Sequence, residues 1–155
     1  MTKECKQQFT LRITQANPTQ MIVILYEMLL CYLDEGDVAV DKAELKEAIR
    51  KARACVNELM CSLHLEYEPA PALLQLYLYC IRRLAYCEMK QDKEALADIR
   101  KVIQPLHDAY EQIEKLNEKG PVMNNSQMVY AGLTYGRTEL SENMADQGAN
   151  RGILA

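Results

Sequence analysis

The sequence predicts an all-α protein: an antiparallel up-down four-helix bundle with a short N-terminal arm and an irregular C-terminal extension. Apolar residues recur at spacings of three and four over most of the chain up to about residue 119, and no run of alternating apolar and polar residues suggests a sheet. Five of the six glycines stand at or after position 120. Connections of only a few residues favour antiparallel neighbours.

The first predicted helix covers about 18–34 and follows a short arm, residues 1–16. Asn17 is suited to cap this helix through its side-chain oxygen, and Pro18 favours the first helical position. Gln20, three residues after the cap, can complete a capping box. These three residues therefore predict a sharp boundary between the arm and the helix.

The run from Met21 to Leu33 is apolar on every side of that helix and is interrupted only by Glu27. A helix at the surface of a bundle has polar residues on its outward face. This helix must therefore be covered almost completely, either by its own bundle or by a segment that the bundle carries. Gly36 is expected to end the helix.

The second predicted helix begins after Asp41 and runs to about Leu65. Asp41 is a good N-cap, and Glu44 three residues later supports it. Pro69 and Pro71 then bracket a turn, because proline disfavours the continuation of a helix. The chain should reverse its direction there.

The third predicted helix covers about 72–90, and the fourth follows a cap at Asp92 and continues to about Lys119. The fourth contains Pro105, which lacks a backbone N–H and is expected to kink the helix or break it locally.

Residues 17–119 are thus predicted to form the bundle, and 120–155 a tail of different composition. The tail is rich in Gly, Asn and Ser, yet it also carries apolar side chains. Either it is a mobile tail, or its apolar residues dock back on the bundle. The docking candidates are Val129, Tyr130, Leu133 and Tyr135.

Composition excludes several classes of function. The net charge of −4 and a pI near 5.3 argue against nucleic-acid binding. The longest apolar run is shorter than the roughly 20 residues that cross a bilayer, and the N-terminus lacks a signal-peptide layout. None of the six cysteines forms a CxxC pair. We therefore expect a cytoplasmic protein without membrane insertion, whose cysteines serve as small hydrophobic residues.

Candidates for catalysis are scarce, since His64 and His107 are the only histidines. Neither belongs to the Glu-x-x-His pattern of di-iron bundles. Cys61 shares a helical face with His64, but a structural zinc site needs four ligands. A histidine phosphotransfer role for His107 is a weaker alternative, because Pro105 lies two residues before it. We expect no enzyme activity, no metal and no cofactor.

Two arginines and several tyrosines are candidates for recognition. Arg82 and Arg83 lie mid-helix and point about 100° apart, so they either pair with a carboxylate such as Glu58 or bind the main chain of a partner segment. The tyrosines either bridge core and surface or form a recognition surface. Tyr77 and Tyr79 face different directions and cannot both be core.

Several segments resemble the flagellin export chaperone family, FliS. Ile13-x4-Pro18 followed by Met-Ile-Val-Ile-Leu-Tyr resembles the family's opening, and the string from Leu76 to Leu84, with Tyr-x-Tyr-x2-Arg-Arg-Leu inside it, resembles its third helix. The second helix is similar from Lys51 onward, and Asp-Ala-Tyr110 stands where the fourth helix ends. The order and spacing agree over about 9–116.

The resemblance implies a cytosolic, non-enzymatic four-helix chaperone. Such a chaperone binds the C-terminal segment of new flagellin, prevents premature polymerisation and keeps the subunit competent for flagellar type III export, with the export gate as a further partner when loaded. It also implies that the N-terminal arm is a lid on a groove that the client later fills. The partner-binding residues that we predict are Phe9, Ile13, Tyr26, Leu30, Tyr77, Tyr79, Arg82, Arg83 and Tyr110.

The alternative of a different class is a structural or regulatory bundle that associates with itself through the same apolar faces. We expect a monomer or a weak homodimer.

Overall fold

The computed structural model describes residues 1–119, which form five helices and no strand. The helices are α1 (Lys3–Gln15), α2 (Pro18–Val38), α3 (Lys42–Cys61), α4 (Ala70–Lys90) and α5 (Glu94–Lys119). The all-α prediction is therefore confirmed. No helix within this part of the chain is both long and apolar enough to cross a membrane. The tail predictions for 120–155 lie outside the described residues.

Helices α2 to α5 surround one core. α2 packs against α3 and α5, and α4 packs against the same two helices. α2 and α5 run antiparallel, since Arg100 of α5 pairs with Asp34 near the end of α2 at 2.6 Å, while the ring of Tyr110 lies 5.9 Å from that of Tyr26. The core is built mainly of aliphatic residues, as the absence of tryptophan and the single phenylalanine require.

The segment predicted as an arm is a helix, α1. Thr2 caps it by accepting a hydrogen bond from the backbone N–H of Cys5 at 3.2 Å. Its sequence is mostly polar, and Phe9 is its only buried residue. Its apolar residues Phe9, Leu11 and Ile13 stand two positions apart, and a helix is predicted from spacings of three and four, so the signal for a helix was weak here.

The predicted caps of α2 and α3 are confirmed. Asn17 accepts from the N–H of Gln20 at 2.8 Å, and the Gln20 side chain accepts from the N–H of Asn17 at 3.0 Å, which completes the capping box. Asp41 accepts from the N–H of Glu44 at 2.8 Å. Glu44 in turn accepts from the N–H of Val40, one residue before the cap.

The prediction that Gly36 ends the first bundle helix is wrong, because α2 continues to Val38. Gly36 is buried where α2 meets α3 and α5. A Cβ at this position would lie 2.8 Å from Cδ1 of Leu96 and 3.6 Å from Cδ1 of Leu45. The missing side chain therefore permits close packing of helices.

Two other boundaries differ from the sequence prediction. α3 ends at Cys61 instead of about Leu65, and α4 begins at Ala70, before Pro71. Proline is tolerated in a first turn, where its missing N–H would have no helical partner. α5 is not broken at Pro105 and continues to Lys119.

Candidate interaction site

The outer face of α2 is the side turned away from the bundle core, and α1 lies on it. We define this outer face by Ile24, Glu27, Cys31 and Glu35, which follow the spacing of one helical side. α1 runs antiparallel to α2: the amine of Met1 pairs with Glu35, and Arg12 pairs with Glu27. Ile24 is only 2% exposed although it lies outside the main core cluster. The segment that covers the apolar helix is therefore α1.

The contact between α1 and α2 is small and depends on one aromatic side chain. Phe9 is 8% exposed, whereas Leu11, two residues later, is 59% exposed. Ile13 is half-buried. Ion pairs flank this apolar centre at both ends of α1, so the helix is held by few groups.

Arg12 forms a two-pronged ion pair with Glu27. Its Nη1 donates to Oε2 at 2.5 Å and its Nη2 donates to Oε1 at 3.1 Å. These hydrogen bonds raise the pKa of Arg12 above its ordinary value, against the opposing effect of burial. A bidentate geometry fixes both distance and orientation, so this pair sets the register of α1 on α2.

Glu35 has two cationic neighbours. Besides the Met1 amine, the Nζ of Lys51 on α3 lies 3.4 Å from its Oε2. Burial alone would raise the pKa of Glu35, but these two positive groups outweigh burial and hold the pKa below its usual range. Glu35 therefore connects α1 to α3 through charge.

Glu27 also faces α5. The Nε2 of His107 lies 3.6 Å from Oε1 of Glu27, which is longer than a hydrogen bond, while Nδ1 of His107 lies 3.1 Å from Asp108. An open cavity of about 230 Å³ adjoins this region, where α1, α2 and α5 meet. It is lined by Arg12, Gln15, Gln20, Ile24 and Glu114.

Grooves also lie between α2 and α3. One of about 210 Å³ is lined by residues that include Leu25, Met28 and Tyr32, and one of about 470 Å³ lies towards the connection between the helices. Lys51 lines both grooves, and Val40 beside the larger one is 90% exposed. Apolar surface thus remains accessible along this side of α2.

Three of the predicted partner-binding residues lie together in the core. Tyr26, Tyr77 and Tyr110 are 0%, 0% and 6% exposed. The phenol oxygens of Tyr26 and Tyr77 are 2.5 Å apart, and their ring centroids are 6.5 Å apart. These residues join α2, α4 and α5, and a partner cannot touch them in this arrangement.

The remaining predicted residues lie at or near the surface. Leu30 and Tyr79 are half-buried and pack on the core, and Arg82 is exposed. Arg83 pairs with Asp98 at 2.7 Å, and its Cζ lies 4.8 Å from the ring centroid of Tyr86. Glu58 is therefore not its partner. The structure does not bring this set into one surface.

Neither Arg12 nor Glu35, nor the role of Glu27, was predicted from the sequence. One signal was present: Glu27 is the sole charge in an apolar run, and a charge retained there needs a partner. Its partner, Arg12, lies on another helix, so the spacing of residues within α2 could not identify it.

Three of the six cysteines, Cys55, Cys80 and Cys87, are buried thiols. Burial raises the pKa of Cys55 and that of Cys80 to about 12. Among the described residues, no group of three or more His, Cys, Asp or Glu could hold a metal ion. Cys61 is exposed, and His64 next to the end of α3 is half-buried.

Thiol reactivity is expected to follow this burial. With iodoacetamide at pH 7.5, Cys61 should be alkylated in the native protein, whereas Cys55 and Cys80 should react only in denaturant, since the thiolate is the nucleophile. Peptide mass spectrometry after timed quenching measures each site. Native labelling of Cys80 as fast as that of Cys61 would contradict the described core.

Comparisons with known proteins point to one family. The family model described as Flagellar protein FliS matches residues 1–117. A protein of Bacillus subtilis (strain 168) named Flagellar secretion chaperone FliS is 24% identical over 103 residues, which are 64% of this chain and 77% of that protein. Because the family match includes α1 and nearly all of α2 to α5, the chain belongs to the FliS family of flagellar proteins.

Proposed function

We propose that this protein binds the C-terminal segment of flagellin in the cytoplasm, prevents its premature polymerisation and keeps it competent for type III export. The family is a chaperone family and not an enzyme family. The homologue from Bacillus subtilis carries the name of a flagellar secretion chaperone. In our proposal the loaded complex, and not the empty protein, engages the export gate.

The observation that carries the proposal is the cover on α2. An apolar helix is closed on its outside by a mostly polar helix that has one buried residue, Phe9. A cover with so little buried surface can be exchanged for a client helix that buries more, because hydrophobic stabilisation grows with area. Helix-in-groove recognition is a known mode of binding.

In this proposal α1 is the lid, and Phe9 and Ile13 are its apolar contacts. Leu30, Tyr79 and Arg82 remain candidates for contact with the client. The two grooves beside α2 offer further apolar surface to a long client segment. Tyr26, Tyr77 and Tyr110 would then support the site from the core without touching the client.

The direct test is to mix the full chain with a peptide of about the last forty residues of flagellin from the same organism, a length typical of coupled folding and binding. We expect an equimolar complex by calorimetry and a rise in helicity by circular dichroism. A scrambled peptide is the control. Absence of binding at tens of micromolar would contradict the proposal.

Self-association is the second candidate, because Val38 and Val40 are 76% and 90% exposed beside a groove. Light scattering distinguishes self-association from flagellin binding. An obligate dimer that does not bind the flagellin peptide would favour self-association.

A further inference from the structure

We propose that Glu27 selects the client: the segment that replaces α1 must place an arginine or lysine against this carboxylate, about one helical turn from a large apolar side chain. This inference rests on the proposed function. It concerns the chemistry of the partner, for which α1 itself is the template.

The template is the pair Phe9 and Arg12. They stand three residues apart on one side of α1, and Cζ of Arg12 lies 5.6 Å from the ring centroid of Phe9. Phe9 is the buried residue of α1, which packs on α2, while Arg12 holds Glu27 with two hydrogen bonds. A client that uses the same face meets the same apolar surface and the same carboxylate.

The two carboxylates of the outer face differ in what remains when α1 leaves. Glu35 keeps Lys51 of α3, at 3.4 Å. Among residues 1–119, Glu27 keeps only His107 as a nearby cationic candidate, with Nε2 at 3.6 Å and no hydrogen bond. Glu27 therefore needs a cation from whatever covers it, whereas Glu35 already has one from the bundle.

This difference produces selectivity. In the open state water solvates Glu27, so opening the lid leaves no unpaired buried charge. A client without a cation would strip that water away and leave the carboxylate unpaired, which is costly. A client with arginine or lysine restores the pair. Discrimination thus arises mainly from a penalty on the wrong segment.

The test must distinguish an effect on the docking of α1 from an effect on client binding, because in our proposal Glu27 forms an ion pair with both. Arg12→Gln removes the lid's ion pair and leaves Glu27 in place. In that background, Glu27→Gln reports only on the contact with the client. Glu66→Gln is the matched control, since Glu66 is an exposed carboxylate between α3 and α4 and forms no ion pair among the described residues.

The probe is the peptide of the last forty or so residues of flagellin, together with variants in which each Arg or Lys is changed to Gln. We expect R12Q to bind the peptide at least as tightly as the wild type. R12Q/E27Q should bind about tenfold more weakly than R12Q, which corresponds to one partly buried ion pair. R12Q/E66Q should bind as R12Q does.

One of the peptide variants should bind R12Q about tenfold more weakly than the unchanged peptide does. The same variant and the unchanged peptide should bind R12Q/E27Q with equal affinity. The difference in peptide affinity between R12Q and R12Q/E27Q should shrink at high salt, because salt screens the ion pair. Equal binding by R12Q and R12Q/E27Q would overturn the role of Glu27 while leaving the chaperone function intact. If the peptide binds to none of the variants and not to the wild type, the proposed function itself fails.

Discussion

Replacing Tyr77 by alanine is expected to lower the free energy of unfolding by about 3–5 kcal/mol, the range for removing a buried aromatic ring. Tyr77 is 0% exposed and lies where α4 meets α2. The substitution removes the contact with Tyr26. It also leaves a cavity between α2, α4 and α5 that small shifts of these helices cannot fill. Urea denaturation followed by circular dichroism measures the change.

Two further variants identify the cause. Tyr77→Phe keeps the ring and removes the hydroxyl, so we expect a loss of only about 1 kcal/mol. Tyr79→Ala stands two residues later in the same helix and is half-buried, so its loss should be about 1 kcal/mol or less. If Tyr79→Ala destabilised the protein as much as Tyr77→Ala, the orientation of α4 described here would be wrong.

Replacing Phe9 by aspartate is expected to detach α1 from α2 while the bundle stays folded. Burial of a phenylalanine contributes about 1.5–3 kcal/mol. At about 1.4 kcal/mol for each factor of ten, its loss shifts the docking equilibrium about 10- to 100-fold towards the open state.

Cys31 provides the measurement, since it is half-buried on the outer face. Burial raises its pKa, and the Cys5 thiol of α1 acts in the same direction. Alkylation of Cys31 should therefore accelerate in Phe9→Asp, with the unfolding midpoint of the bundle almost unchanged. Leu11→Asp is the control, because Leu11 is largely exposed. If Cys31 reacts equally in both variants, Phe9 does not hold the lid.

The features that could be predicted from the sequence are local ones. Asn17 and Asp41 cap their helices by accepting hydrogen bonds from residues three positions away. Both partners of each cap therefore lie within a short stretch of sequence. The apolar periodicity of α3 is similarly visible without its partners. Gly36 was misread because glycine serves both as a helix end and as a site of close packing.

The candidate site was predicted less well. Tyr77 and Tyr79 are the same residue type two positions apart, and only the rotation of α4 about its axis decides which one is buried. Arg83 pairs with Asp98 across the connection between α4 and α5, whereas sequence reasoning had offered Glu58. Such choices depend on which helix faces which.

Sequence patterns were therefore enough to predict the four bundle helices, the caps of α2 and α3, the family and the need for a cover on α2. The packing of the helices was needed to show that the cover is a helix, that Phe9 is its buried residue, and that Glu27 and Arg12 hold it in register. These features differ in predictability because the underlying interactions differ in range. Caps and helical periodicity act within four or five residues, whereas the pair of Arg12 and Glu27 exists only because two separate helices pack antiparallel.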